Sequence, residues 1–172
     1  MGGVRKCVKI NILREYNIQY TNHKIGEEAL YSYQVLRYAK SVGFIEKPLY
    51  SYVQRQDSQS HLKVDDAWGD VAIELRKKVK ELGDYEAYAN TTNAFILAAA
   101  AGSANRLALN YGFKEYLDKV RYRRSILYRD LDEQHATDYH NMDKRAIVMG
   151  FLLKNKMYCS IWLASRLREK FR

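Results

Sequence analysis

Proline is almost missing from this chain: Pro48 is the only one in 172 residues. Without further residues that lack an amide hydrogen, the long stretches on either side of it favour helix. Cysteine is equally scarce. Cys7 and Cys159 lie far apart and form no paired metal or redox motif, which rules out a disulfide framework, and both read as reduced thiols. No apolar run reaches the roughly eighteen residues that a membrane-crossing helix needs. The opening Met1-Gly2-Gly3-Val4-Arg5-Lys6 has no apolar stretch behind it, so no signal peptide is expected. It also lacks the Ser or Thr at position 6 that favours myristoylation, and the start reads as a truncation boundary.

Against these absences stand a hydrophobic content of 47% and a net charge of +9. The first is enough to bury a core, with one domain as the default and two subregions within that length still open. The second is unevenly placed. From Lys144 onward the cations are Lys144, Arg145, Lys154, Lys156, Arg166, Arg168, Lys170 and Arg172, against Glu169 alone, whereas residues 65–143 are slightly acidic. Positive charge in an apolar tail suits an anionic membrane surface at least as well as a phosphate backbone. The polar connector Asp57 to Asp66 divides the chain into residues 1–64 and 65–172.

The second part has helical spacing almost throughout. Trp68, Val71, Ala72, Leu75, Val79 and Leu82 share one helix, which Gly83 is placed to stop. Tyr85, Tyr88, Ala89 and the run Ala94 to Ala101 predict a helix buried on most sides, its alanines admitting close neighbours. Phe113, Tyr116, Leu117, Val120 and Leu127 give the next helix its buried side. After an irregular stretch, 130–141, two helices are expected at about 142–154 and 157–171. The last joins an apolar side carrying Trp162 to a basic end, the pattern of a helix lying at a membrane interface.

The first part carries the most specific signal. Residues 4–17 read as a short amphipathic helix with Val4, Val8, Ile12 and Tyr16 spaced by four. A turn at Gly26 leads into a helix over about 27–41, with Glu27 and Glu28 in its first turn and Ala29, Leu30, Tyr33, Leu36 and Ala39 on its apolar side. Val42 to Ile45 and Leu49 to Val53 then read as two short strands around Glu46-Lys47-Pro48, followed by Arg55, Ser58, Ser60 and His61.

That order of elements, Gly-Glu-acid, apolar helix, Ala39-Lys40, strand, Lys47-Pro48-Leu49-Tyr50-Ser51-Tyr52, Arg55 and Ser58-Gln59-Ser60, resembles the latter part of family 2 glycosyltransferases. The likeness is nearest to bacterial members that build capsule, cell-wall or exopolysaccharide units, and covers roughly residues 5–61. It implies an inverting enzyme with a GT-A-like α/β fold. Its acidic pair lies on the acceptor side, with the second member, here Glu28 where the family usually has Asp, as general base and Glu27 beside it. Such a base is needed because an acceptor hydroxyl attacks the anomeric carbon only as its proton is removed. The resemblance also places Tyr52, Arg55 and His61 near the nucleotide-sugar diphosphate and the acceptor, where a guanidinium can bind phosphate bidentately.

The nucleotide-binding half of that family, with its base-binding Asp and Asp-x-Asp metal ligands, has no counterpart before Gly26. Asp130-Leu131-Asp132 spells Asp-x-Asp but lies downstream in a helical context, and Asp65-Asp66 fails for the same reason. His135 and His140 are not on one helical face and have no Cys or His partners nearby, so no metal site is assigned. Arg121-Tyr122-Arg123-Arg124 mixes cations with an aromatic, but on a helix these point in different directions.

The expectation is therefore a mainly α chain: a short two-stranded β element in its first third, then a helical bundle, cut from a larger α/β enzyme. The parent would use a nucleotide-sugar, a glycan or lipid-linked acceptor and a divalent Mn or Mg, with the donor and metal bound in the missing half. The expected location is cytoplasmic, peripheral on the inner face of the plasma membrane through residues 144–172, and a homodimer stays open. The alternatives are a non-catalytic helical module that docks to membrane or partner proteins and, less favoured, a basic nucleic-acid-binding domain; no nucleic-acid partner is expected.

Overall fold

The structure, a computed structural model, describes residues 6–20, 26–49, 51, 68–129 and 131–171. The chain divides into two compact units, Met1–Leu62 and Lys63–Arg172. Seven helices make up the regular structure of the described residues: α1 (Ile10–Glu15), α2 (Glu27–Tyr38), α3 (Gly69–Glu81), α4 (Tyr85–Asn110), α5 (Phe113–Arg129), α6 (Lys144–Lys154) and α7 (Tyr158–Lys170).

In the second unit α4 is the axis, and α3, α5, α6 and α7 all pack on it. At 26 residues it runs about 39 Å at the α-helical rise of about 1.5 Å per residue. Its buried positions, among them Ala89, Asn93, Ile96, Leu97, Ala99, Ala101 and Leu107, cover more than half of its circumference, while Asn90, Thr91 and Gly102 are exposed. A helix contacted by four others keeps only a narrow exposed side, and small side chains let neighbouring backbones approach. Ile96, Leu107, Tyr116, Val120, Leu127, Leu153 and Ile161 complete this core. Tyr116 is fully buried, donates to the Tyr158 carbonyl at 3.2 Å, and has its phenol pKa pushed well up by that burial.

Helix ends in this unit are closed from neighbouring elements. Arg166 of α7 donates from Nε to the Ala108 carbonyl at 2.8 Å and from Nη2 to the Tyr111 carbonyl at 2.9 Å. Trp162 adds a third hydrogen bond to Tyr111 at 3.4 Å. Arg124 of α5 does the same for α6, reaching the Leu153 and Lys154 carbonyls at 2.7 and 3.2 Å. Cations at C-terminal carbonyls satisfy orphan acceptors and meet the negative end of the helix dipole. The run Arg121 to Arg124 is thus split. Arg124 caps α6, Arg123 meets Asp70 at 3.4 Å, Arg121 lies over the Tyr158 ring, and Tyr122 faces solvent.

The first unit is thinner. Ile18, Tyr31 and Val35 are buried together, with Val8, Ile12, Leu13 and Tyr38 half-buried against them. Two stacked tyrosine pairs bind α1 and its exit to α2: Tyr16 on Tyr38 with centroids 3.7 Å apart, and Tyr20 on Tyr31 at 4.3 Å.

Several expectations need correcting here. Among the described residues there is no strand. Val42 to Ile45 are without regular structure, and Phe44 is 84% and Ile45 68% exposed. A ribbon gains stability only with a buried face and a paired ladder, and neither is available to this segment among the described residues. Of the second expected strand, Leu49 and Ser51 are irregular and the rest lies outside the described residues. The first helix is shorter than 4–17, starting at Ile10, and the second stops at Tyr38, where Ala39 turns extended. The buried face of α2 is Leu30, Tyr31 and Val35, while Leu36 is 52% exposed. The tyrosine stacks rotate that face away from the Leu30–Tyr33–Leu36 line.

Three helices end in the same hydrogen-bonded motif, with a left-handed residue just past the last turn. Gly83 (φ 76) ends α3, with Gly83 N–H on the Lys80 carbonyl and Asp84 N–H on the Val79 carbonyl. Asn17 (φ 46) does so after α1 and Lys156 (φ 57) after α6, where Met157 N–H meets the Leu152 carbonyl. Glycine takes this conformation without strain, asparagine tolerates it and lysine is strained by its Cβ. Lys156→Gly should therefore stabilise the protein by about 0.5–1 kcal/mol. Gly83→Ala, whose added Cβ would meet nothing within 4 Å, should destabilise it by about 1 kcal/mol through backbone strain alone. Urea unfolding of the two variants checks both signs.

Candidate functional site

The acidic pair is carried by a turn that only glycine makes cheaply. Gly26 sits at the N-cap of α2 with φ 84, buried, and its carbonyl accepts from Ala29 N–H at 2.9 Å. The helix starts on the next residue, so Glu27 and Glu28 occupy its first two positions, at the positive end of the helix dipole. Glu28 is half-buried. One turn on, the Ser32 hydroxyl donates to the Glu28 carbonyl and accepts from Lys6 Nζ, which ties the chain before α1 to the start of α2. Arg37 lies 5.0 Å from the centroid of the Tyr38 ring at the other end of α2.

Tyr52, Arg55 and His61 lie outside the described residues, so of the expected site only Glu27 and Glu28 are brought together, as helix neighbours. Among the described residues no group of three or more His, Cys, Asp or Glu side chains could hold a metal ion, and no helix is long and apolar enough to cross a membrane.

A second polar constellation, in the helical unit, escaped sequence reading. Asn93, 2% exposed in the middle of α4, is its hub. It accepts from Arg76 Nη2 and from Asp132 N–H at 3.1 Å, and donates Nδ2 to the carbonyls of Asp132 at 2.9 Å and His135 at 3.1 Å. The Tyr85 hydroxyl donates to Asp132 Oδ2, which also lies 3.0 Å from His135 Nδ1, while His135 Nε2 faces Glu86 at 3.3 Å. Asp132 is thus the acceptor of a structural clasp that holds the 131–135 turn on α3 and α4, and His135 is engaged by carboxylates on both ring nitrogens. The one available signal was a pair of amide and hydroxyl side chains, Thr92 and Asn93, at the entrance of the alanine run. A cleft of about 600 Å³ beside the clasp is lined by Arg76, Lys80, Arg129, Asp132 and Glu133 among others. Both signs of charge line it, so it specifies no single ligand chemistry.

No protein-family model, curated protein or solved structure matches this chain.

The clasp has a pH signature. The Tyr85 hydrogen bond, helped by Gln134 N–H and His135, lowers the Asp132 pKa to about 2 from its ordinary 3.8. A depressed carboxyl pKa means that folding favours the ionised form, so its contribution is fully present above about pH 4 and is lost as the pH falls toward 2. Asp132→Asn should flatten the fall of Tm between pH 4 and 2 relative to the unaltered protein. Asn93→Ala should cost about 3 kcal/mol in chemical denaturation, because it leaves the buried Arg76 guanidinium and the Asp132 amide without their acceptor.

Proposed function

We propose that this chain is the acceptor-side and C-terminal portion of an inverting glycosyltransferase that moves a sugar from a nucleotide-sugar to a glycan or lipid-linked acceptor in polysaccharide biosynthesis. The observation that carries the reading is the buried left-handed Gly26 starting α2 directly on Glu27 and Glu28. The left-handed glycine and the helix start place the backbone of both acidic residues at the positive end of α2, where a base would be presented to an acceptor hydroxyl. Glu28 takes the proton of the acceptor hydroxyl while that oxygen bonds to the anomeric carbon from the face opposite the leaving group. The anomeric carbon–oxygen bond breaks, its electrons go to the departing nucleoside diphosphate, and the configuration inverts. Arg55, with Tyr52 and His61, would face the diphosphate and the acceptor. A divalent Mn or Mg held in the nucleotide-binding half would supply charge neutralisation on the diphosphate.

The segment Val42 to Leu49 also favours this reading. It is irregular, and Val42, Phe44, Ile45 and Leu49 are each more than half exposed. Consecutive apolar side chains in water suit a segment that pairs with another part of the enzyme.

Two outcomes test the proposal. In the polypeptide that joins these residues to a nucleotide-binding half, Glu28→Gln should lower kcat for sugar transfer by about 10²- to 10⁴-fold with the donor KM unchanged, while Glu28→Asp keeps most of the activity. Full activity in Glu28→Gln would remove the base from this site. The 172-residue chain alone should show no Tm shift with UDP, UDP-sugars and Mn, since a bound donor would raise its stability by mass action.

A further inference from the structure

The fold leaves the outer side of its last two helices uncovered. α7 buries Tyr158, Ile161 and Ser165. On the opposite side, spaced by four, Leu163 is 53%, Leu167 55% and Phe171 82% exposed. They span an arc of about 80° at 3.6 residues per turn. α6, packed on α7, repeats the pattern: Gly150 and Leu153 are buried, while Val148 and Phe151 are 58% and 63% exposed.

The charges on these helices are nearly all of one sign. Lys144, Arg145, Lys154, Lys156, Arg168 and Lys170 are exposed, with Glu169 the one acid in α6 and α7. Two residues of the apparent amphipathic pattern do not belong to this surface. Trp162 is turned inward against Phe113, with ring centroids 5.4 Å apart, and Arg166 is committed to the Ala108 and Tyr111 carbonyls. What remains outside is aliphatic and phenyl side chains among free-ended cations.

We propose that the outer side of α6 and α7 seats on an anionic phospholipid surface. Leu163, Leu167 and Phe171 would enter the acyl boundary, and the surrounding lysines and arginines would lie among the phosphates. Charge complementarity selects this occupant. An electrostatic contact to nucleic acid uses the cations but has no use for a protruding Phe171 and two leucines. A second copy of the same helices would bring like charges together. Residues of the helical unit alone carry the proposal, so it stands or falls separately from Glu28.

The test is flotation of the full chain with vesicles of phosphatidylcholine, alone or with phosphatidylglycerol. Binding is expected to the anionic vesicles only, and to weaken with added salt. The triple variant Leu163→Ser, Leu167→Ser, Phe171→Ser and, separately, Lys154→Glu with Lys156→Glu should each reduce it at least tenfold. Both alter exposed side chains, so circular dichroism should stay as in the unaltered chain, and only the lysine variant, which places acids at the C-terminal end of α6, should lower Tm, slightly. Failure to bind anionic vesicles, equal binding to neutral ones, or insensitivity to the triple variant overturns the proposal. So does a dimer in sedimentation that the triple variant dissociates, which would assign the face to a second copy. Tight duplex DNA binding that the lysine variant abolishes and the triple variant leaves intact would assign the cations to nucleic acid.

Discussion

The enclosure of α4 by four other helices is the constraint on which the helical unit depends. A helix covered over most of its surface must be lined there by small or apolar residues, and its buried end groups must find partners inside the protein. The alanines of α4 meet the first demand. Arg166 and Trp162 meet the second at its C-terminal end, which explains why α7 turns its tryptophan and one guanidinium toward the end of α4. Further inside, Asn93 brings a polar group into the same apolar helix, and it is tolerated because Arg76, Asp132 and the His135 carbonyl use its full hydrogen-bonding capacity. α3, α5, α6 and α7 are held in place by one axis, and the surface they leave to solvent follows from which side each has given to it.

The first unit works under a different limit. Its buried cluster is small, and two tyrosine stacks do much of the joining of α1 to α2. What it fixes is local: a left-handed glycine, the helix start that follows it, and Lys6 anchored through Ser32.

Much of the helical architecture was legible because it rests on local rules. The spacing of Val71, Ala72, Leu75 and Val79, the stop at Gly83, the alanine run of α4 and the turn at Gly26 each act within a few residues, and each corresponds to an element in the structure. Strand-like composition at Val42 to Ile45 misled for a physical reason. A β-strand is stabilised by a neighbour's ladder, and residue pattern alone does not supply one. The face of α2 was misjudged by a related cause, since stacking of Tyr31 and Tyr38 on residues near α1 decides which side is buried. The clasp at Asn93 joins residues about forty positions apart, and no local pattern announces it.

The sequence by itself determined that the second part is helical, which helix is the most buried, and that two adjacent acidic residues follow Gly26 at a helix start, because helix propensity, capping and periodicity are properties of neighbouring residues. Only the tertiary structure decided which polar side chains serve the fold and which face solvent. Arg124, Arg166 and Trp162 close helix ends, Asp132 and His135 fasten a turn, and Leu163, Leu167 and Phe171 remain outside. Those assignments depend on contacts between distant parts of the chain, where burial and unsatisfied hydrogen bonds set the energy.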